Sequence, residues 1–346
     1  MRCRILPSII DGGSFMKPLT ISFNNVFIKA CSSVSGPKEK EGPLGEYFDY
    51  SFSHERANQK TFELGEKEMI EKAIEILLKK AKMPVDNISL MLGGDLSNQI
   101  AISNLVAKDL PLSFIGLYSA CSTMILSLNL ASVFVSSSYC DNVLCFSSSN
   151  YGTSERQFRY PLEYGVFKKA QTTITVSGCG ACIVSNEKSR IRVNSATFGK
   201  VEDLKWDDVS DMGSPMAYAA YKTIKGHLEN RKLNSSDYDL ILTGDLSTLG
   251  TRILRELFEK DHNPLFNHLD AGNLVYSSSD KTKFMGGSGC GCITLASFGY
   301  IFKKMIKGDY KKVLLVGTGA LHSQTSVQQK LTIPVVAHLI ELEVVK

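Results

Sequence analysis

The sequence predicts an α/β protein built as two pseudo-symmetric halves, each alternating helices with buried, mainly parallel strands. Three observations predict it. Short motifs recur in one order at offsets of 150 to 170 residues. Apolar runs of strand length alternate with longer segments of helical spacing. And the segment Met124 to Val135 is nearly all apolar, yet too short and too interrupted (Ser127, Asn129) to span a bilayer. It reads as a helix buried at the centre of a large core.

The repeat has three landmarks. Gly244-Asp245-Leu246-Ser247 restates Gly94-Asp95-Leu96-Ser97 at an offset of 150 (245 − 95). Ser288-Gly289-Cys290 restates Ser119-Ala120-Cys121 at an offset of 169 (290 − 121). Lys312-Val313-Leu314-Leu315-Val316 restates Asn142-Val143-Leu144-Cys145-Phe146 at an offset of 170 (313 − 143). The jump of 19 (169 − 150) calls for a longer connection in the second half, around 270–284, where Ser, Asp and Lys suggest a loop.

In chain order, residues 1–15 lack periodicity and are expected to be a disordered extension ahead of a start at Met16. Strand-like alternation begins at Leu19, Ile21 and Phe23. Residues 35–45 carry Gly-Pro punctuation and nearly cancelling charges, the pattern of a solvated surface turn. Apolar positions from Met69 to Ala81 define an amphipathic helix over 65–82. Ile88 to Leu92 is a buried strand, followed by a helix near 98–109. Phe114 to Leu117 leads into the central helix, and Val143 to Phe146 is the next strand. Further strands fall at 172–176 and 181–184. The second half repeats the scheme, with a strand at Leu240 to Leu242, helices near 250–260 and 293–307, and a strand from Lys312. The halves divide into 16–190 and 191–346.

Composition narrows the function. The 346 residues are 43% hydrophobic with a formal charge of +4, which suits a globular protein. No basic stripe points to nucleic acid, and no transmembrane span or secretory signal is visible. Nine cysteines, an odd number, lie mostly inside apolar segments, as in a reducing compartment. Cys179–Cys182 and Cys290–Cys292 sit in Gly-rich strand-like surroundings, where cysteine fills space and no metal site is expected.

One stretch concentrates chemistry: Leu117-Tyr118-Ser119-Ala120-Cys121-Ser122-Thr123. A thiol at the start of a helix faces unpaired N–H groups and the positive end of the helix dipole, which favour a thiolate and a bound anion. A small cysteine packed at a turn is the competing reading. Among the histidines, His322 follows the last Gly-rich turn and is kept as a site candidate. His227 falls in an exposed helical pattern, His54 in a polar region, and His262, His268 and His338 read as structural. Asp95 and Asp245 each precede a helix and read first as N-caps.

Duplicated α/β halves with a cysteine opening a central helix resemble the thiolase and ketoacyl synthase superfamily. More narrowly, the chain resembles the stage V sporulation protein AD family, through the segments 36–45, Gly94-Asp95-Leu96, Ala120-Cys121-Ser122-Thr123 and Glu155-Arg156-Gln157-Phe158-Arg159-Tyr160-Pro161. Asp211-Met212-Gly213-Ser214, Asp239 to Ser247, Gly286-Gly287-Ser288-Gly289-Cys290, Gln328-Gln329-Lys330 and Ile333-Pro334 continue the match.

The resemblance implies a thiolase-like, layered α-β-α-β-α body and a protein that binds dipicolinic acid, alone or as its calcium chelate. It implies work beside sporulation membrane proteins of one uptake complex, in the cytoplasm or peripheral to the inner forespore membrane, and a homodimer. Condensing enzymes of the superfamily acylate a cysteine at the position of Cys121, helped by a His at the second-half strand end. Here that strand ends in Thr243-Gly244-Asp245. The expectation is therefore a pocket kept for binding without its chemistry, with no cofactor. The alternative is an acyl-CoA condensing or acyl-transfer enzyme that uses Cys121 as nucleophile and an unusual base such as His322. The ligand-binding candidates are Asp95, Cys121, Ser122, Asn150, Arg156, Arg159, Gly289, Cys290 and His322, with the two arginines read either as carboxylate forks or as anchors of a loop or dimer interface.

Overall fold

The computed structural model describes residues 17–158, 168–277 and 280–346. The expected extension 1–15, Met16 and Arg159 lie outside them.

The first half runs β1 (Leu19–Ser22), β2 (Phe27–Ser35), α1 (Pro37–Lys40), β3 (Tyr50–Ser51) and α2 (Phe62–Ala81). It continues with β4 (Leu90–Gly94), α3 (Ala101–Ala107), β5 (Phe114–Gly116), α4 (Thr123–Ser136) and β6 (Asn142–Ser149). α5 (Tyr151–Phe158), β7 (Ile174–Thr175) and β8 (Gly178–Ser185) complete it. The second half opens with β9 (Ile191–Phe198), α6 (Gly213–Arg231), β10 (Leu240–Thr243), α7 (Ser247–Lys260) and β11 (His268–Asp270). α8 (Ala271–Val275), β12 (Gly287–Ser288), α9 (Cys290–Thr294) and α10 (Phe302–Lys307) follow, the last two joined by a π-helical turn at Leu295–Ile301. β13 (Lys312–Ala320), α11 (Gln324–Gln328) and β14 (Val335–Val344) close the chain.

The strands line up as β11-β10-β13-β14-β9-β2-β8-β6-β4-β5. Read from each outer edge inward, the two halves have one and the same order, so the sequence repeat is a repeat of topology. In each half the three outer strands are parallel, as expected of strands linked by helices. The inner two pair antiparallel, so each sheet is mixed, and β1 on β9 and β3 on β2 bring each to six strands. Among the described residues the sheets touch edge to edge only where β2 meets β9, through Phe27 opposite Arg192 and Ile28 opposite Ile191.

Between the sheets lie α4 and the helix formed by 290–307. Met124, Ile125, Leu128, Ala131 and Val135 of α4 are all buried, against strands of both sheets. A helix apolar all round can be satisfied only in such a place. Its two inner serines return their hydroxyls to the helix, Ser127 to the Thr123 carbonyl at 2.9 Å and Ser132 to that of Leu128 at 2.7 Å. Close approach requires glycine: a Cβ on Gly317 of β13 would lie 2.8 Å from the Ile125 side chain and 3.0 Å from the Ser122 Cα. α2 and α3 cover one outer face, and α6 and α7 the other. The five layers are α-β-α-β-α.

Three expectations are corrected. Residues 36–45 are not a solvated turn: Glu39 and Leu44 are buried, and Glu39 Oε1 accepts from the Ser177 N–H at 3.0 Å and from the Tyr276 hydroxyl. Near-cancelling charges say nothing about which one turns inward. Residues 270–284 are more than a loop, since they include α8, capped by Asp270. His227 is fully buried, its Nδ1 2.8 Å from Thr197 Oγ1, because α6 turns that face onto the second sheet.

Candidate functional site

The C-terminal ends of the parallel strands and the starts of the two central helices converge on a small pocket of about 40 Å³. Leu96, Phe158, Met212, Met216 and Ala320 form its apolar walls. Tyr118, Ser154, Thr173, Thr175 and Ser288 supply hydroxyls, while Cys121, Glu155, Asp245 and His322 are its ionisable groups.

Cys121 is placed by a strained, heavily bonded turn. Ala120 takes a left-handed conformation (φ 46°), and its repeat mate Gly289 has φ 101°. His338 Nδ1 accepts from the Gly199 N–H at 3.2 Å, so its proton resides on Nε2 and points to Ser119 Oγ at 3.2 Å. Burial lowers the His338 pKa to about 4, consistent with this neutral ring. Ser122 donates to the Ser119 carbonyl at 2.7 Å, and Thr123 to that of Ala120 at 2.7 Å. The two helix starts touch, with the Cys290 thiol donating to the Ala120 carbonyl at 3.1 Å.

The partner of Cys121 is a carboxyl. Burial pushes the thiol well up, and the adjacent, hydrogen-bonded Asp245 pushes it further, against one favourable N–H from Gly289. Asp245 stands just past β10, accepting from Thr318 Oγ1 at 2.6 Å and from the Gly289 N–H at 3.1 Å, and burial raises its own pKa. A carboxylate beside a thiol opposes the thiolate, the reverse of what a nucleophile needs.

Asp245 is therefore not a helix cap, although Asp95 is. The Asp95 carboxylate accepts from the Ser97 N–H at 2.8 Å, the Ser97 hydroxyl, and the Ser103 N–H and hydroxyl at 2.7 and 2.6 Å. With its acceptors occupied behind the pocket wall, Asp95 is not among the lining residues. In the second half Asp270 performs the capping, taking the Leu246 and Ser247 N–H groups at 3.0 and 2.8 Å.

Of the nine candidates, Cys121 and His322 line the pocket, and Gly289 and Cys290 lie directly behind it. Ser122 is fully buried in the turn. Asn150 caps α5, its Oδ1 accepting from the Gly152 N–H at 2.8 Å. Arg156 points outward, paired with Glu63 and over the Phe62 ring, because its position on α5 faces α2. Arg156 therefore does not face the pocket, and Arg159 lies outside the described residues. Sequence reasoning missed Tyr118, Ser154, Glu155 and the two methionines. Three of these flank residues already singled out (Cys121 and Arg156), which was the available signal. Glu155 is nearly buried and held by Lys168 at 3.1 Å. Among the described residues, no group of three or more His, Cys, Asp and Glu side chains is placed to hold a metal ion. None of their helices is long and apolar enough to cross a membrane.

This architecture is that of the thiolase-like proteins. The Xanthomonas campestris OleA structure with cerulenin bound matches with a TM-score of 0.60 at 14% identity, over 93% of this chain and 100% of that one. The 3-oxoacyl-[acyl-carrier-protein] synthase III of Aquifex aeolicus VF5 matches with a TM-score of 0.54 at 14% identity, over 92% and 99%. At such identity the likeness establishes the fold. In sequence, the family model for stage V sporulation protein AD matches residues 18–343. The stage V sporulation protein AD of Bacillus subtilis (strain 168) is 42% identical over 319 residues, 92% of this chain and 94% of that protein. The chain belongs to the stage V sporulation protein AD family.

Proposed function

We propose that the pocket over Cys121 binds dipicolinic acid (pyridine-2,6-dicarboxylate), alone or as its calcium chelate, without catalysing a reaction on it. The protein would deliver it into the developing spore beside membrane proteins of one uptake complex at the inner forespore membrane. The observation that carries the non-catalytic part is the pairing of Cys121 with Asp245. Condensation needs a base that ionises the thiol and donors for an oxyanion. A carboxyl at that place instead keeps the thiol protonated, as a donor. The apolar walls suit an aromatic ring, and the hydroxyls suit carboxylate oxygens. Because Asp245 opposes a bare dianion while Lys168 compensates Glu155, an occupant that brings its own cation also fits. At about 40 Å³ the pocket must open to admit a pyridine ring, and the flexible Met212 and Met216 are the walls best able to yield.

Calorimetric titration with dipicolinate, with and without calcium, and with pyridine-2-carboxylate tests this reading. Saturable binding of the dicarboxylate at least tenfold tighter than the monocarboxylate is expected. Equal or absent binding overturns it. The shared pocket of His322 and Cys121 favours a second reading, an acyl-CoA condensing or acyl-transfer enzyme. A covalent adduct after incubation with acyl-CoA, seen by intact mass and lost in Cys121→Ser, would establish that reading instead.

The same proposal includes a homodimer through β5. Among the described residues this strand pairs only with β4 and carries no charge from Ser113 to Tyr118, and Ile115 is 41% exposed. An unprotected edge of this kind invites a second copy. The opposite edge is blocked, since Arg255 donates to the His268 carbonyl at 2.7 Å. Light scattering should give twice 38.1 kDa, and Ile115→Lys the single mass. A monomeric parent protein would overturn the pairing.

A further inference from the structure

Ser154 sits one turn into α5, 4% exposed, on the pocket wall beside Glu155. Its hydroxyl has no hydrogen-bond partner among the described residues. A buried serine in a helix ordinarily escapes that fate by donating to the carbonyl four residues back, as Ser127 and Ser132 do in α4. For Ser154 that carbonyl belongs to Asn150, and it is occupied by the Ser154 N–H at 3.0 Å and by Thr153 Oγ1 at 3.1 Å. The neighbouring Thr153 hydroxyl also reaches Glu66 at 2.7 Å. Thus α5 satisfies the hydroxyl that faces α2 and leaves unsatisfied the one on the pocket wall.

We infer that Ser154 is a ligand-contacting residue whose hydroxyl donates to a carboxylate oxygen of the bound dicarboxylate. The inference rests on the binding reading above. A buried hydroxyl without a partner destabilises the empty protein. A ligand acceptor removes that penalty only in the complex, so the group contributes to binding while opposing stability. Among the described residues the lining has no Arg or Lys, which gives such a neutral donor more of the recognition.

The test is calorimetric titration with dipicolinate of the full chain, Ser154→Ala and Ser154→Thr, with a thermal melt of each. Ser154→Ala should bind about tenfold to a hundredfold more weakly, the loss of one hydrogen bond to a charged acceptor, with Tm unchanged or raised. Ser154→Thr, which keeps the hydroxyl, should bind more tightly than Ser154→Ala. Equal binding by the parent protein and Ser154→Ala overturns the inference and leaves the pocket reading standing. Weaker binding accompanied by a Tm lowered by several degrees assigns Ser154 to the scaffold and overturns it as well. No binding by the parent protein overturns the pocket reading, and this inference with it.

Discussion

Glu66→Gln should make the protein more tolerant of alkali. Glu66 on α2 is 1% exposed, accepting from Ser148 Oγ at 2.8 Å and from Thr153 Oγ1 at 2.7 Å. Burial, reinforced by Asp95, raises its pKa from 4.5 to about 8. Between those values the folded protein keeps a proton that the unfolded chain has released. Stability from this group is therefore complete below pH 4.5 and is lost as pH rises through about 8. Raising an acid that far corresponds to about 5 kcal/mol above the upper value. For 346 residues the unfolding entropy is about 0.7 kcal/mol per degree, so the loss amounts to about 7 °C in Tm. Glutamine keeps the shape, and its amide can still meet both hydroxyls. About 4 kcal/mol of this falls between pH 5 and pH 9, so the Tm difference between Glu66→Gln and the parent protein should grow by about 5 °C over that range. Glu39 and Asp270, both raised to about 7 mainly by burial, are present in both proteins and cancel. Parallel Tm curves across that range would refute the reasoning, because Glu66 would then not hold a proton.

Two more outcomes follow from buried charge. Asp245→Asn removes the negative neighbour of Cys121 and should speed alkylation of that thiol at pH 8 by about three- to tenfold, read by peptide mapping after iodoacetamide. An unchanged rate would mean that burial alone protects it. Glu341 on β14 is fully buried, and its oxygens meet Ser195 Oγ at 2.8 Å, Arg231 at 3.0 Å and Lys312 at 3.3 Å. Burial opposes its ionisation, but His227, Ser195 and Arg231 outweigh this and hold the carboxyl well below the usual range. Glu341→Ala strands those cations and should lower stability at pH 7 by about 3–5 kcal/mol in a denaturant titration. The difference should shrink as pH falls below the usual carboxylate range.

The repeat was the most legible feature of the sequence, because offsets between like motifs survive whatever the loops do. They located the central helices and the strands after each, and hence the place where Cys121 and Cys290 meet. Of the inner strands, β2 and β8 were legible as strands but not as antiparallel ones, since side-chain alternation carries no direction, and β9 and β14 were not read at all. Facing was the other blind spot. Glu39 and His227 occupy segments of ordinary polar pattern and are buried by what packs on them. Arg156 looked like a fork for carboxylates and is turned outward by the phase of α5. Asp245 repeats Asp95 in sequence, yet no local rule distinguishes a carboxylate that takes its own helix from one that takes a thiol on the other half of the chain.

That last pair says something about how duplication works in this molecule. Both copies of Gly-Asp-Leu-Ser share one motif, but the helix after β10 has Asp270 to accept from its first N–H groups. Asp245 is thereby left to face Cys121, whereas the Asp95 carboxylate is spent on its own helix. The two-fold body is thus asymmetric at its centre, with the carboxyl beside Cys121 supplied by the second half.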